Sequence, residues 1–264
     1  MANIHPTAVV EKGAELDDTV EVGAFAYVGS QAKIGKNTVL FNHSSVVGDT
    51  VIGSDCKIFP FAVIGGMGQH KKDMHKDSVD GKLFIGNGNI FREGCTVHVG
   101  TDIENNETII GNEGLFMANS HVAHDCVLGD NVILVNNSVL AGHVRMDDWA
   151  ILGGLSAVHQ WCRIGKHAMI GGMTGVEHDV IPFGMVTGNR AKLVGLNIVG
   201  LKRRNFTREQ IADLRKAYDC VFSKEKTFAE RLTETAEMFK DNKTVMEMIS
   251  FMLSDSSRQI CQPE

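Results

Sequence analysis

The stretch VEKGAELDDTVEVGAFAYVGSQAKIGKNTVL, residues 10–40, places an aliphatic side chain at every sixth position: Val10, Leu16, Val22, Val28, Ile34 and Leu40. The register continues through Val46, Ile52, Ile58 and Ile64 and resumes at Ile85, Phe91 and Val97. It then runs from Ile110 through Phe116, Val122, Leu128, Leu134, Leu140, Met146, Leu152, Val158, Ile164 and Ile170 to Val176. A period of six matches neither a helix nor a long alternating strand, but it matches a short strand followed by a corner, repeated. Three such units close one triangular coil of a parallel β-helix, so residues eighteen apart stack at roughly 4.8 Å.

Four residues after most register positions sits a small residue suited to a tight interior turn, among them Ala14, Ala26, Thr38, Ser44, Thr50, Ala62, Ser120, Ser138, Ala150, Ser156, Ala168 and Thr174. Cys56, Cys95, Cys126 and Cys162 occupy the same slot, and no CxxC pair exists. These four cysteines therefore read as inert buried fillers, neither metal ligands nor nucleophiles.

Two polar stretches interrupt the register, GMGQHKKDMHKDSVDGK (66–82) and TDIENNE (101–107). Insertions leave a solenoid as loops from one face, where binding often lies; the shorter one reads as tolerated loop variation. The register ends near Pro182, and from about Arg190 helical patterns take over, giving a β-helix over 1–189 and a small helical domain over 190–264. Thr207 with Gln210, Thr227 with Glu230 and Thr244 with Glu247 have capping-box spacing, each followed by apolar residues at helical intervals.

With 43% hydrophobic and 22% charged residues, the 264-residue chain has an ordinary soluble composition. A net charge of −6 disfavours a general nucleic-acid binder, although the local cluster Lys202, Arg203, Arg204 could still hold phosphate. The N-terminus MANIHPTAVVEKG has no basic start followed by an apolar core, and apolar runs are short, so no signal peptide or integral membrane segment is expected and a cytoplasmic location is.

Histidines mark the chemistry. Eighteen residues after His124 comes Gly142, beside His143, and eighteen further comes Gln160, beside His159; these histidines fall on successive coils along one corner or its adjoining face, with His98 and His121 on neighbouring coils. Three imidazoles in a column fit either a metal centre, as in γ-class carbonic anhydrases, or one general base with substrate-binding neighbours. Asp125 could polarise His124 only at a corner or from a neighbouring subunit, because adjacent strand residues point to opposite faces.

HPTAVV, NSHVAHDCVLG, LAGHV, AVHQWC and GLNIVGLKRRNF, taken with the hexapeptide register and the helical tail, make the whole chain resemble the UDP-N-acetylglucosamine 3-O-acyltransferase family, which opens lipid A synthesis. The resemblance implies a left-handed β-helix, a homotrimer with clefts between subunits, and transfer of a 3-hydroxyacyl chain from acyl carrier protein, whose 4′-phosphopantetheine carries it. No metal or resident cofactor is implied. His124 matches the general base, Asp125 its supporting acid, and the Gly142 N–H the oxyanion donor. His121, His143, His159 and Gln160 match substrate contacts, Asn197, Arg203 and Arg204 the nucleotide end, and Gly172 the position that leaves room for a long acyl chain such as 3-hydroxymyristoyl. Lys72 corresponds to a loop lysine of the family.

Two residues depart from the pattern. Where the family often has Gln-Asp, this chain has Gln69 and His70, and where it commonly has Glu, this chain has Val199. Both lie on the acceptor side, which leaves a 3-amino sugar nucleotide open as acceptor. A related N-acyltransferase branch carries an extra N-terminal domain, whereas these repeats begin by Val10. A carbonic anhydrase and a non-catalytic trimeric scaffold are the remaining alternatives.

Overall fold

The computed structural model describes residues 1–69, 71, 80–103 and 106–264; His70 and Lys72 lie outside the described residues. Short strands, most of two residues, form three parallel sheets that start at Asn3–Ile4, Val9–Val10 and Glu15–Leu16, one on each side of a triangular prism. Ile4 pairs with Val22, Val22 with Leu40 and Leu40 with Ile58, the one-coil step that a period of six demands. Ile58 then pairs with Phe91 and Phe91 with Phe116, so the ladder continues across both insertions.

The register residues fill the prism: Leu40, Val46, Ile58, Ile64, Phe91, Phe116, Val122, Leu134 and Leu140 are fully buried. Phe91 and Phe116 stack at 4.6 Å between centroids. Most of the small slot is buried too, and several of its hydroxyls donate to backbone carbonyls, as Ser44 Oγ does to Phe41 O and Ser156 Oγ to Gly171 O, each at 2.7 Å, whereas Ser120 Oγ donates to Cys95 Sγ and Ser138 Oγ has no partner among the described residues. Burial pushes the Cys95, Cys126 and Cys162 thiols up to about 12, so they are inert at neutral pH.

The coils wind as a left-handed β-helix. The usual right-handed crossover follows from strand twist, and two-residue strands carry almost none. The cost appears at the corners, whose second residue sits in the left-handed backbone region even when it is bulky: His43 (φ 59°), His143 (63°), Trp149 (61°) and Trp161 (67°). Stacking one coil apart offsets it. Phe25, His43 and Phe61 form one ladder, with centroid separations of 5.1 and 5.3 Å, and His143 lies on Trp161 at 3.8 Å.

The last coil strand, Gly184–Thr187, pairs antiparallel with Lys192–Leu196, so residues just after Arg190 extend the sheet and the helices begin only at Ile198. Helix α1 (Ile198–Arg203) is followed by α2 (Arg208–Val221), α3 (Phe228–Met238) and α4 (Lys243–Leu253). The capping boxes at Thr207 and Thr227 form as expected. The one at Thr244 does not: Asn242 caps α4 by accepting from Val245 N, and its amide also donates to Asp213 of α2 at 2.8 Å, which places Thr244 inside the first turn. Beyond α4 the chain returns to the prism through an isolated Asp179–Ile260 bridge. Among the described residues no helix is long and apolar enough to cross a membrane.

Candidate active site

His124 and Asp125 occupy one corner, between the strands His121–Val122 and Val127–Leu128. Because Asp125 takes the left-handed conformation (φ 59°), the two side chains meet, as strand neighbours could not. His124 Nδ1 lies 2.8 Å from Asp125 Oδ2, with both residues buried. A carboxylate only accepts, so Nδ1 carries the proton and the basic lone pair is on Nε2.

Asp125 is itself anchored. The Thr101 N–H donates to Oδ1 at 2.9 Å, the Thr101 hydroxyl to Oδ2 at 2.6 Å, and the Asp125 N–H to Thr108 Oγ1 at 2.8 Å. Burial alone would raise its pKa; hydrogen bonds from His124 and Thr101 hold the carboxyl below the usual carboxylate range nonetheless. The insertion at 101–107, expected to be idle loop variation, thus supplies at Thr101 the clamp on the carboxylate. No local pattern marks that threonine, since its partner lies 24 residues away.

Gly142 sits against the His124 ring: a Cβ there would come within 2.5 Å of Cε1 and 2.8 Å of Nε2. His143, one coil above Asp125, has Nε2 3.8 Å from Asp125 Oδ2 and its ring edge-on to His124 at 5.1 Å. His121 Nδ1 and Thr96 Oγ1 are hydrogen-bonded at 2.7 Å, and His98 lies edge-on to His121 at 4.7 Å.

The expected column of three imidazoles is corrected at its third step. Above His143 stands Trp161, readable in retrospect as the residue eighteen after His143, while exposed His159 is held from outside by Arg258, whose Nη2 is 2.7 Å from Nδ1. The one group among the described residues with potential ligand atoms within 4.8 Å of one another is His124, Asp125 and His143. A three-imidazole centre with His159 is therefore not assembled.

The remaining candidates lie on other corners. Asn197 caps α1 through Gly200 N and donates to His167 O at 3.0 Å. Arg204 donates to Trp149 O at 3.0 Å and lies over the Trp149 ring at 5.3 Å, beside exposed Arg203. All belong to the corner of Trp149 and His167. Gly172 is exposed on the third corner, above Gly154. One chain thus gathers His121, His124, Asp125, Gly142, His143, His159 and Gln160 along one edge, but Gly172, Arg203 and Arg204 elsewhere.

A family model described as "Udp N-acetylglucosamine O-acyltransferase; Domain 2" matches residues 179–261, and a six-repeat bacterial transferase hexapeptide model matches residues 107–142. An acyl-(acyl-carrier-protein)–UDP-N-acetylglucosamine O-acyltransferase of Rickettsia canadensis is 49% identical over 263 residues, covering 100% of this chain and 98% of its own length. The chain belongs to the UDP-N-acetylglucosamine O-acyltransferase family. Another member, from Caulobacter vibrioides, is 47% identical over 262 residues, 99% of this chain and 98% of its own. The solved UDP-N-acetylglucosamine acyltransferase of Francisella novicida superposes with a TM-score of 0.93 at 36% identity, covering 98% of this chain and 94% of that one. Membership in the family makes the chain an acyltransferase, so the carbonic anhydrase and scaffold readings fall away.

Proposed function

We propose that the chain transfers a 3-hydroxyacyl group from acyl carrier protein to the 3-hydroxyl of UDP-N-acetylglucosamine, with His124 as general base. The observation that carries the mechanism is the buried His124–Asp125 pair, whose tautomer leaves Nε2 to take a proton. Nε2 removes the proton of the sugar hydroxyl as its oxygen attacks the thioester carbon. The oxyanion that forms is met by the Gly142 N–H, adjacent to the imidazole. Collapse expels the phosphopantetheine thiolate, which takes the proton back from the imidazolium and leaves as a thiol. Asp125 stabilises the transient cation, and no metal or resident cofactor enters the step.

The division of candidate residues among corners supports a site completed by further copies of the chain, and we read the working unit as a homotrimer in the cytoplasm. In it Arg203 and Arg204 supply charge for the nucleotide end, and Gly172 leaves room for a long acyl chain such as 3-hydroxymyristoyl. Equimolar UDP-N-acetylglucosamine and its 3-amino analogue, offered together to the wild type with 3-hydroxymyristoyl acyl carrier protein, test the acceptor. Ester as the main product supports the reading; amide as the main product overturns the acceptor assignment.

Gly142→Ala tests the packing of the base. The added methyl cannot coexist with the imidazole in place, and a displacement of about 1 Å at the reacting centre costs on the order of 100-fold in rate. We expect kcat to fall by that order with the assembly intact by sedimentation. Near-normal kcat would show that the ring does not need its observed position.

A further inference from the structure

After α4 the chain does not end on the helical domain but runs back along the prism. Arg163 Nη1 donates to Ser254 Oγ at 2.6 Å, the Asp179 N–H to Gln259 O at 2.7 Å, and the Cys261 N–H to Asp179 O at 2.8 Å. Between these anchors Arg258 reaches the histidine edge. Its Nε donates to Gln160 O at 3.1 Å, and its Nη2 lies 2.7 Å from His159 Nδ1.

A guanidinium has five donors and no acceptor, and it stays protonated in proteins. The 2.7 Å contact is therefore a hydrogen bond only if His159 Nδ1 accepts, which puts the ring proton on Nε2. The 3.3 Å approach of His159 Nδ1 to Gln160 O is then not a bond of its own. It brings two acceptors together, and one guanidinium bridges both. The fork also fixes the plane of the ring.

We propose that Arg258 is a positioning residue of the acceptor site: it sets the tautomer and orientation of His159 so that Nε2–H donates to an oxygen of the sugar nucleotide. This rests on the reading of His159 as a substrate contact. The tail from 254 to 262 is thus part of the site, although it lies 99 residues from His159.

A double-mutant cycle tests it with Arg258→Met, which keeps an unbranched stem and removes the donors, together with His159→Ala and the double variant. We expect each single variant to raise KM for UDP-N-acetylglucosamine about five-fold, the scale of one hydrogen bond, with the larger effect on KM than on kcat. The double variant should match His159→Ala, because Arg258 then has no ring to orient. Arg258→Lys, which keeps a donor but loses the fork, should fall between wild type and Arg258→Met. An unchanged KM in Arg258→Met, or losses that multiply fully in the double variant, would overturn the proposal. Nitrogen-15 spectra of His159 read the clamp without turnover: an unprotonated Nδ1 in the wild type is expected, and a protonated Nδ1 contradicts it. A wild type that acylates no UDP-sugar would sink the functional reading while the spectra still decided the clamp.

Discussion

His124→Ala is expected to lower kcat about 10²- to 10⁴-fold, the range that positioned general bases contribute, while the protein folds and binds UDP-N-acetylglucosamine. The expectation follows from where the ring sits. It is buried at a corner whose backbone is held by the ladders on both sides, so removing the imidazole leaves the β-helix intact. A sugar hydroxyl is a poor nucleophile until its proton has somewhere to go, and among the described residues no other imidazole has the same relation to Asp125: His143 stands 3.8 Å from that carboxylate, against 2.8 Å for His124. Activity within a few fold of the wild type would remove His124 from the chemistry. Loss of the folded assembly would point to a packing role.

Stability should fall steeply below neutral pH. His98 and His167 are both buried, and each has an Nδ1 without a hydrogen-bond partner among the described residues. Burial, reinforced by His121 and His124, pushes His98 down to about 4. Burial, reinforced by Arg204 and Lys166 and opposed by Asp148, pushes His167 down to about 4 as well. Their ordinary value is about 6.5, so between the two values the unfolded chain binds more protons than the folded one. The stabilising difference is complete above the ordinary value, is lost as the pH falls through the window, and stops changing below about 4. Each imidazole accounts for at most about 3 kcal/mol. The depressed carboxyl of Asp125 adds a further loss only as the pH falls through and below the usual carboxylate range. Urea midpoints at pH 7.5 and pH 4.5 check the prediction. His167→Phe, which preserves the aromatic ladder between Trp149 and Phe183, should flatten part of the slope. Equal midpoints at the two pH values would show that neither imidazole is held neutral by the fold.

The prism was legible because one side chain in six answers to a single physical demand, burial inside a narrow triangle. Leu40, Ile58 and Phe116 obey it without exception, and the cysteine fillers follow from the same rule. Spacing also put His124, Gly142 and His143 together, since a one-coil offset in sequence is a vertical step in space. What spacing could not carry is any contact made by a segment outside the repeat. Thr101 belongs to an insertion and Arg258 to the tail, and their partners lie 24 and 99 residues away. Local polarity gives no sign of either. Thr244 and Asn242 both carry capping side chains, and sequence alone does not show that Asn242 takes the Val245 N–H and is held in place by Asp213 of α2. The antiparallel strand Lys192–Leu196 follows neither the six-residue nor the helical period, so neither pattern predicts it.

Product stoichiometry decides whether the chain carries out the proposed acyl transfer. Purified wild-type protein is incubated with 3-hydroxymyristoyl acyl carrier protein and UDP-N-acetylglucosamine, and the acylated sugar and the liberated carrier thiol are quantified together. Equal amounts of thiol and O3-ester are expected, each formed only when both substrates are present. Thiol release without acylated sugar, or no consumption of the thioester, would contradict the transfer.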